Sequence, residues 1–129
     1  MALRSGRWEL PPDPRHIGAV RRAVATFAAQ AGMGATAQTD LQVAVSDAIT
    51  SAVLQAGGDD LVRVDAEQRD GELLVRVREG ARPGSDQPSS CAALGPRLSM
   101  IAALAQGFGV RRCESGETEL SMRFALVRG

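Results

Sequence analysis

Asp40-Leu-Gln-Val-Ala-Val-Ser-Asp47-Ala-Ile-Thr-Ser51-Ala-Val-Leu-Gln-Ala56 is the stretch on which the reading of the fold turns. Leu41, Val45, Ala48, Ile49, Ala52 and Ala56 recur at helical spacing, which predicts an amphipathic helix of about four turns with this stripe against a core. On the other side Asp47 and Ser51 stand one turn apart, so a carboxylate and a hydroxyl project from one face toward one point. Taken alone, the pair reads equally well as a solvated polar stripe or as a place for a hydrated cation or a water. The neighbours Val43, Val53 and Leu54 are apolar, which predicts some shielding of Asp47 from water, and a shielded carboxylate needs a partner. No Lys, Arg or His lies between Arg22 and Arg63, so the local sequence supplies no cation for it.

Working outward, Arg7 to Leu10 reads as an edge strand ended by Pro11 and Pro12. Asp13 with Pro14 marks a helix start, and Ile17, Val20, Val24, Phe27, Ala28 and Ala31 carry the helical period until Gly32 and Gly34. Thr39 or Asp40 is the expected cap of the second helix, and Gly57-Gly58-Asp59-Asp60 its end. The period then changes to alternation. Leu61 to Asp65 and Leu73 to Arg78 read as a hairpin turning at Arg69-Asp70-Gly71. Between Glu79 and Gly95 the chain gathers Gly, Pro and Ser without periodicity, which predicts a long loop of the kind that serves as a lid or stays disordered. Leu98, Ile101, Ala102 and Ala105 suggest a third helix. Two strands, near Gly109 to Glu114 and Glu117 to Val127, would close the chain around Ser115-Gly116. This order predicts an α+β fold, a two-layer sandwich with helices on one face of a mostly antiparallel sheet.

At 129 residues the chain is expected to form one domain, residues 1–129, with a core that needs neither disulfide nor metal. Its fifteen basic residues, all arginine, balance fifteen acidic ones, which removes the electrostatic argument for nucleic acid or an anionic membrane. Without lysine there is no lysine clamp for phosphate and no lysine nucleophile. The first ten residues lack an apolar core of signal-peptide length, and no run approaches the ~18 apolar residues of a membrane span. A cytoplasmic location with Cys91 and Cys113 reduced is therefore expected. His16, beside prolines at a helix start, reads as a surface or capping residue.

In this order of elements, from about residue 7 to 126, the chain resembles the anti-sigma-factor serine/threonine kinases of the histidine-kinase-like ATPase superfamily, whose fold gyrase and a heat-shock chaperone share. The family's second helix carries an acidic residue and, four later, an Asn in a frame like AVSEAVTNAV; Ala44 to Val53, AVSDAITSAV, is similar to it. The resemblance implies Asp47 as general base and Ser51 as Mg²⁺ ligand. Asp is one methylene shorter than Glu, and Ser reaches less far than Asn, although serine hydroxyls do ligate Mg²⁺ in phosphate-binding loops. The family's D-x-G-x-G aligns with Glu79-Gly80-Ala81-Arg82-Pro83. This implies Glu79 on the adenine amino group and puts the Ala81 methyl where the base must come close. The lid G-x-G-L aligns with Gly95-Pro96-Arg97-Leu98, implying Gly95 and Arg97 at the phosphates, and Thr118 stands loosely for the last Gly-Thr pair.

Two functions follow from the resemblance. One is an ATP- and Mg²⁺-dependent protein kinase that phosphorylates a serine on an anti-anti-sigma factor, favoured by the charges kept at Asp47 and Glu79. The other is a regulatory module that binds a sigma factor or an anti-anti-sigma partner, with ATP binding weakened or lost. Departures at Asp47, Ser51, Glu79, Ala81, Pro83 and Arg97 together weigh toward the second. The family also implies a homodimer through residues 7–31. From composition alone, amide hydrogen exchange is expected to be fast from Glu79 to Gly95 and slow from Val43 to Val53; equal protection in the two would contradict the lid reading.

Overall fold

The computed structural model describes residues 4–55, 61–69, 71–79, 101, 103–112 and 118–126. Strand β1 (Ser5–Leu10) leads through a 3-10 turn (Pro14–His16) into helix α1 (Ile17–Gln30) and helix α2 (Ala35–Gln55). Strands β2 (Val62–Arg69), β3 (Glu72–Glu79), β4 (Gly107–Arg112) and β5 (Thr118–Ala125) follow. They form one antiparallel sheet in the order β1-β2-β3-β5-β4, so β1 is an edge strand as its sequence suggested. Ile101, Ala103 and Leu104 are helical, but most of the expected third helix, the Glu79–Gly95 loop beyond Glu79 and the Ser115-Gly116 turn lie outside the described residues.

Local chemistry explains where the elements begin. Asp13 accepts a hydrogen bond from the Arg15 amide at 2.9 Å and pairs with the Arg15 guanidinium, whose hydrogen bonds hold the Asp13 carboxyl at about 2. The resulting cap opens the 3-10 turn rather than α1 itself, which starts at Ile17. Helix α2 begins at Ala35, five residues ahead of the expected Asp40. Ala-Thr-Ala-Gln-Thr has no apolar period to reveal a helix. Thr39, expected as a possible cap, lies within the helix and turns its hydroxyl back to the Ala35 carbonyl at 3.2 Å. The β2–β3 hairpin sets Arg69 opposite Glu72, leaving two residues for the turn, and Gly71 takes the positive φ of 71° that glycine accommodates.

The helices cover one face of the sheet. Val20, Val24, Phe27 and Ala28 of α1 and Leu41, Ala44, Val45, Ala48, Ile49 and Ala52 of α2 are buried against Val62, Val64, Leu73, Val75, Val77, Leu120, Met122 and Phe124. Trp8 on β1 meets Phe27 edge-on with ring centroids 6.1 Å apart, closing the end of this layer. Val53 is buried as well, whereas Val43 and Leu54 are exposed. Among the described residues no helix is long and apolar enough to cross a membrane.

The opposite face is charged, as expected for an antiparallel sheet with one open side. Its alternate positions form ion pairs such as Arg7–Asp65 at 2.8 Å and Arg76–Glu67 at 3.5 Å. Such exposed pairs add little individually. Glu119 differs from them. Opposite Arg78 on β3 and Arg111 on β4, it is 4% exposed and accepts from both guanidinium groups, at 2.7 and 3.0 Å. Burial alone would raise its carboxyl, but the two arginine hydrogen bonds outweigh that and hold it below the ordinary value.

A depressed carboxylate contributes stability that is whole above its unfolded value, ordinarily 4.5, and that is lost as the pH falls through the lowered folded value. Glu119→Gln is therefore expected to lower the unfolding free energy by about 1.5–3 kcal/mol at neutral pH, the range for hydrogen bonds to a charged group. Urea melts at neutral pH and at decreasing pH below that ordinary value should show the difference from wild type shrinking; a constant gap would count against the ion triad.

Candidate functional site

The sheet brings together two residues far apart in sequence. Glu79 ends β3, Thr118 begins β5, and the two are directly paired across the strands. Both belong to the series that alternates toward the helices. One turn of α2 lies above them and places Ser51 there, with Ala48 and Ala52 beside it. Ser51, Glu79 and Thr118, with Val77 and Leu120 as apolar walls, line a cavity of about 10 Å³. Ser51 is 2% and Glu79 7% exposed, and each of the three polar residues has an interaction partner.

Three of the residues implied by the resemblance are thus gathered at one point. Asp47 is not with them. It is half-buried on a different flank of α2 and lines a larger cleft, of about 310 Å³, with Arg21 of α1 and Thr39, Gln42, Val43 and Ser46 of α2. Asp47 and Ser51 remain one turn apart on α2, each bordering a different hollow. Four residues advance an α-helix by slightly more than a full turn, and this helix presses its Ser51 side into the sheet while Asp47 stays at its rim. Ala81, Gly95 and Arg97 lie outside the described residues.

A cavity of about 10 Å³ is at the lower limit for a single water. Pockets for small organic ligands span roughly 300–1,000 Å³. The carboxylate and two hydroxyls are groups that could hydrogen-bond a purine edge or hold a water. Among the described residues, the space between Ser51, Glu79 and Thr118 is of water size.

Arg21 is the cleft-lining residue that sequence reading did not single out. It follows Val20 on the border of the apolar stripe of α1, and only the packing of α1 beside α2 brings it to Asp47. The one local sign is Gly18, one turn earlier, where a Cβ would stand 3.3 Å from Nη1 of Arg22 and 3.9 Å from Nη2 of Arg21.

A family model described as the histidine kinase-like ATPase domain matches residues 10–124. No curated protein matches the chain.

The two environments predict different costs of substitution. Ser51→Ala removes a buried, partnered hydroxyl and is expected to cost about 0.5–1.5 kcal/mol of stability. Asp47→Asn, at a carboxylate without a hydrogen bond or ion pair among the described residues, should stay within about 0.5 kcal/mol of wild type. Urea denaturation of both variants checks this, and a larger loss for Asp47→Asn would contradict the placement.

Proposed function

The chain belongs to the histidine kinase-like ATPase domain family, and on that premise we propose that it is an anti-sigma-factor-like regulator. It controls transcription by binding a sigma factor or an anti-anti-sigma partner, with nucleotide binding weakened or lost. An ATPase domain points to nucleotide binding in general, so the proposal is that this member has departed from it. The observation that carries the reading is the set of departures from the family pattern at Asp47, Ser51, Glu79, Ala81, Pro83 and Arg97.

The chemistry of the substitutions points the same way. A glutamate at 79 reaches one methylene further than the family's aspartate, and Ala81 carries a methyl group where the family has glycine. A carboxylate displaced by even 1 Å from a reacting hydroxyl loses about a hundredfold in rate. Regulation by binding needs neither a base in register nor a metal, only a surface that recognises the partner. A homodimer through residues 7–31 belongs to the same proposal. The second reading, an ATP- and Mg²⁺-dependent kinase acting on an anti-anti-sigma serine, is favoured by one feature: Glu79 and Thr118 stand side by side where an adenine-binding carboxylate and hydroxyl would be needed.

Calorimetric titration of the full chain with ATP, with and without Mg²⁺, tests the nucleotide reading. The expected dissociation constant is weaker than about 1 mM, equivalent to less than about 4 kcal/mol. Ala81→Gly combined with Glu79→Asp should strengthen binding before any change at Asp47 matters, because a general base acts on the reaction and contributes little to ground-state affinity. Binding to purified sigma and anti-anti-sigma factors of the same genome, without nucleotide, tests the regulatory reading. Micromolar Mg·ATP binding, with phosphate transferred to a partner serine and transfer lost in Asp47→Ala, would establish the kinase instead.

A further inference from the structure

The cleft between α1 and α2 holds two opposite charges that do not satisfy each other. Arg21 and Asp47 both line it and both are half-buried. Among the described residues neither makes a hydrogen bond or an ion pair, and Nε of Arg21 is enclosed with no acceptor. Shielded charges without partners are costly, and a guanidinium presents its donors in a fixed fork suited to a carboxylate. An occupant that satisfies both groups must carry an anionic and a cationic group a short distance apart.

The remaining lining narrows the class. The hydroxyl of Thr39 is committed as a donor to the Ala35 carbonyl, so toward the cleft it can only accept. An ammonium group, which has three donors and no acceptor, suits the carboxylate of Asp47. Val43 offers a single apolar wall. A polyphosphate would be repelled by Asp47 and a base would find no second apolar face; a metal ion would be repelled by Arg21. The space of about 310 Å³ lies at the small end of the range for organic ligands.

We propose that the α1–α2 cleft is a binding site for a small zwitterion of the α-amino-acid class, its carboxylate held by Arg21 and its ammonium group by Asp47. Such a ligand ties α1 to α2, so its binding stabilises the helical layer by mass action. The site is lined by none of Ser51, Glu79 and Thr118, and it rests on the regulatory reading, in which Asp47 does not serve as a catalytic base.

The test is thermal unfolding and calorimetry of the full chain with each common L-α-amino acid in turn, at concentrations up to about 10 mM, enough to reveal weak binding by its shift of the unfolding midpoint. Acetate, methylamine, inorganic phosphate and Mg·ATP serve as comparison ligands. At least one amino acid should raise the midpoint, while acetate and methylamine, each with half of the charge pattern, should not. For that amino acid, both Arg21→Gln and Asp47→Asn should weaken binding roughly tenfold or more, as expected for loss of a charged hydrogen bond. Ligand-free unfolding midpoints close to wild type separate lost binding from lost folding, and Arg21→Lys, which keeps the charge, should recover part of the affinity. Four results would each overturn the proposal: no response to any amino acid, an equal response to acetate, weakening in Arg21→Gln but not in Asp47→Asn, or displacement of the amino acid by Mg·ATP.

Discussion

Contact between the underside of α2 and the sheet is the constraint from which the other features follow. Leu41, Ala44, Val45, Ala48, Ile49 and Ala52 are all 6% exposed or less, and three of the six are alanines. Small residues let the helix axis come close to the strands, so the polar residue that falls on this flank, Ser51, is carried into the interior with Ala48 and Ala52. The cavity it shares with Glu79 and Thr118 is small for that reason. Deepening it into a pocket would require α2 to rise from the sheet and uncover apolar area, which disfavours the change by about 25 cal/mol for each Å² exposed.

The open face of the sheet is organised by charge. Its central feature is Glu119, which lies on β5 between β3 and β4 and is met from both sides by arginines directly opposite in the register. Gly107 contributes on the same face: a Cβ there would fall within 3.0 Å of three guanidine-group atoms of Arg123, so the glycine lets that side chain lie across the edge strand. Strand β4 starts two residues earlier than the Gly109 expected from alternation, with Gly107 paired opposite Arg123.

The two faces of α2 bear on function in different ways. Ser51 borders a space of water size with Glu79 and Thr118, and Asp47 lines, with Arg21, a cleft with room for a small molecule. Asp47 and Ser51 stand one turn apart on α2 and line separate hollows.

The elements whose chemistry is local could be read from the chain alone. The apolar periods of α1 and α2, the cap at Asp13, the Asp70-Gly71 turn and the alternation of β2, β3 and β5 each depend on residues within a few positions of one another, and together they specify an α+β sandwich. Where the local signal was weak the boundaries slipped, as at Ala35, whose polar first turn has no period, and at Gly107, whose strand character depends on Arg123 across the sheet. The AVSDAITSAV frame likewise marked the helix, and its resemblance agrees with the family found over residues 10–124. What only the tertiary structure decided was which side chains meet. A helical period places Asp47 and Ser51 one turn apart but leaves open how the helix rolls on the sheet. That roll follows from packing alanines against strands distant in sequence, and it buried Ser51 beside Glu79 and Thr118 while leaving Asp47 at the rim, opposite an arginine from another helix.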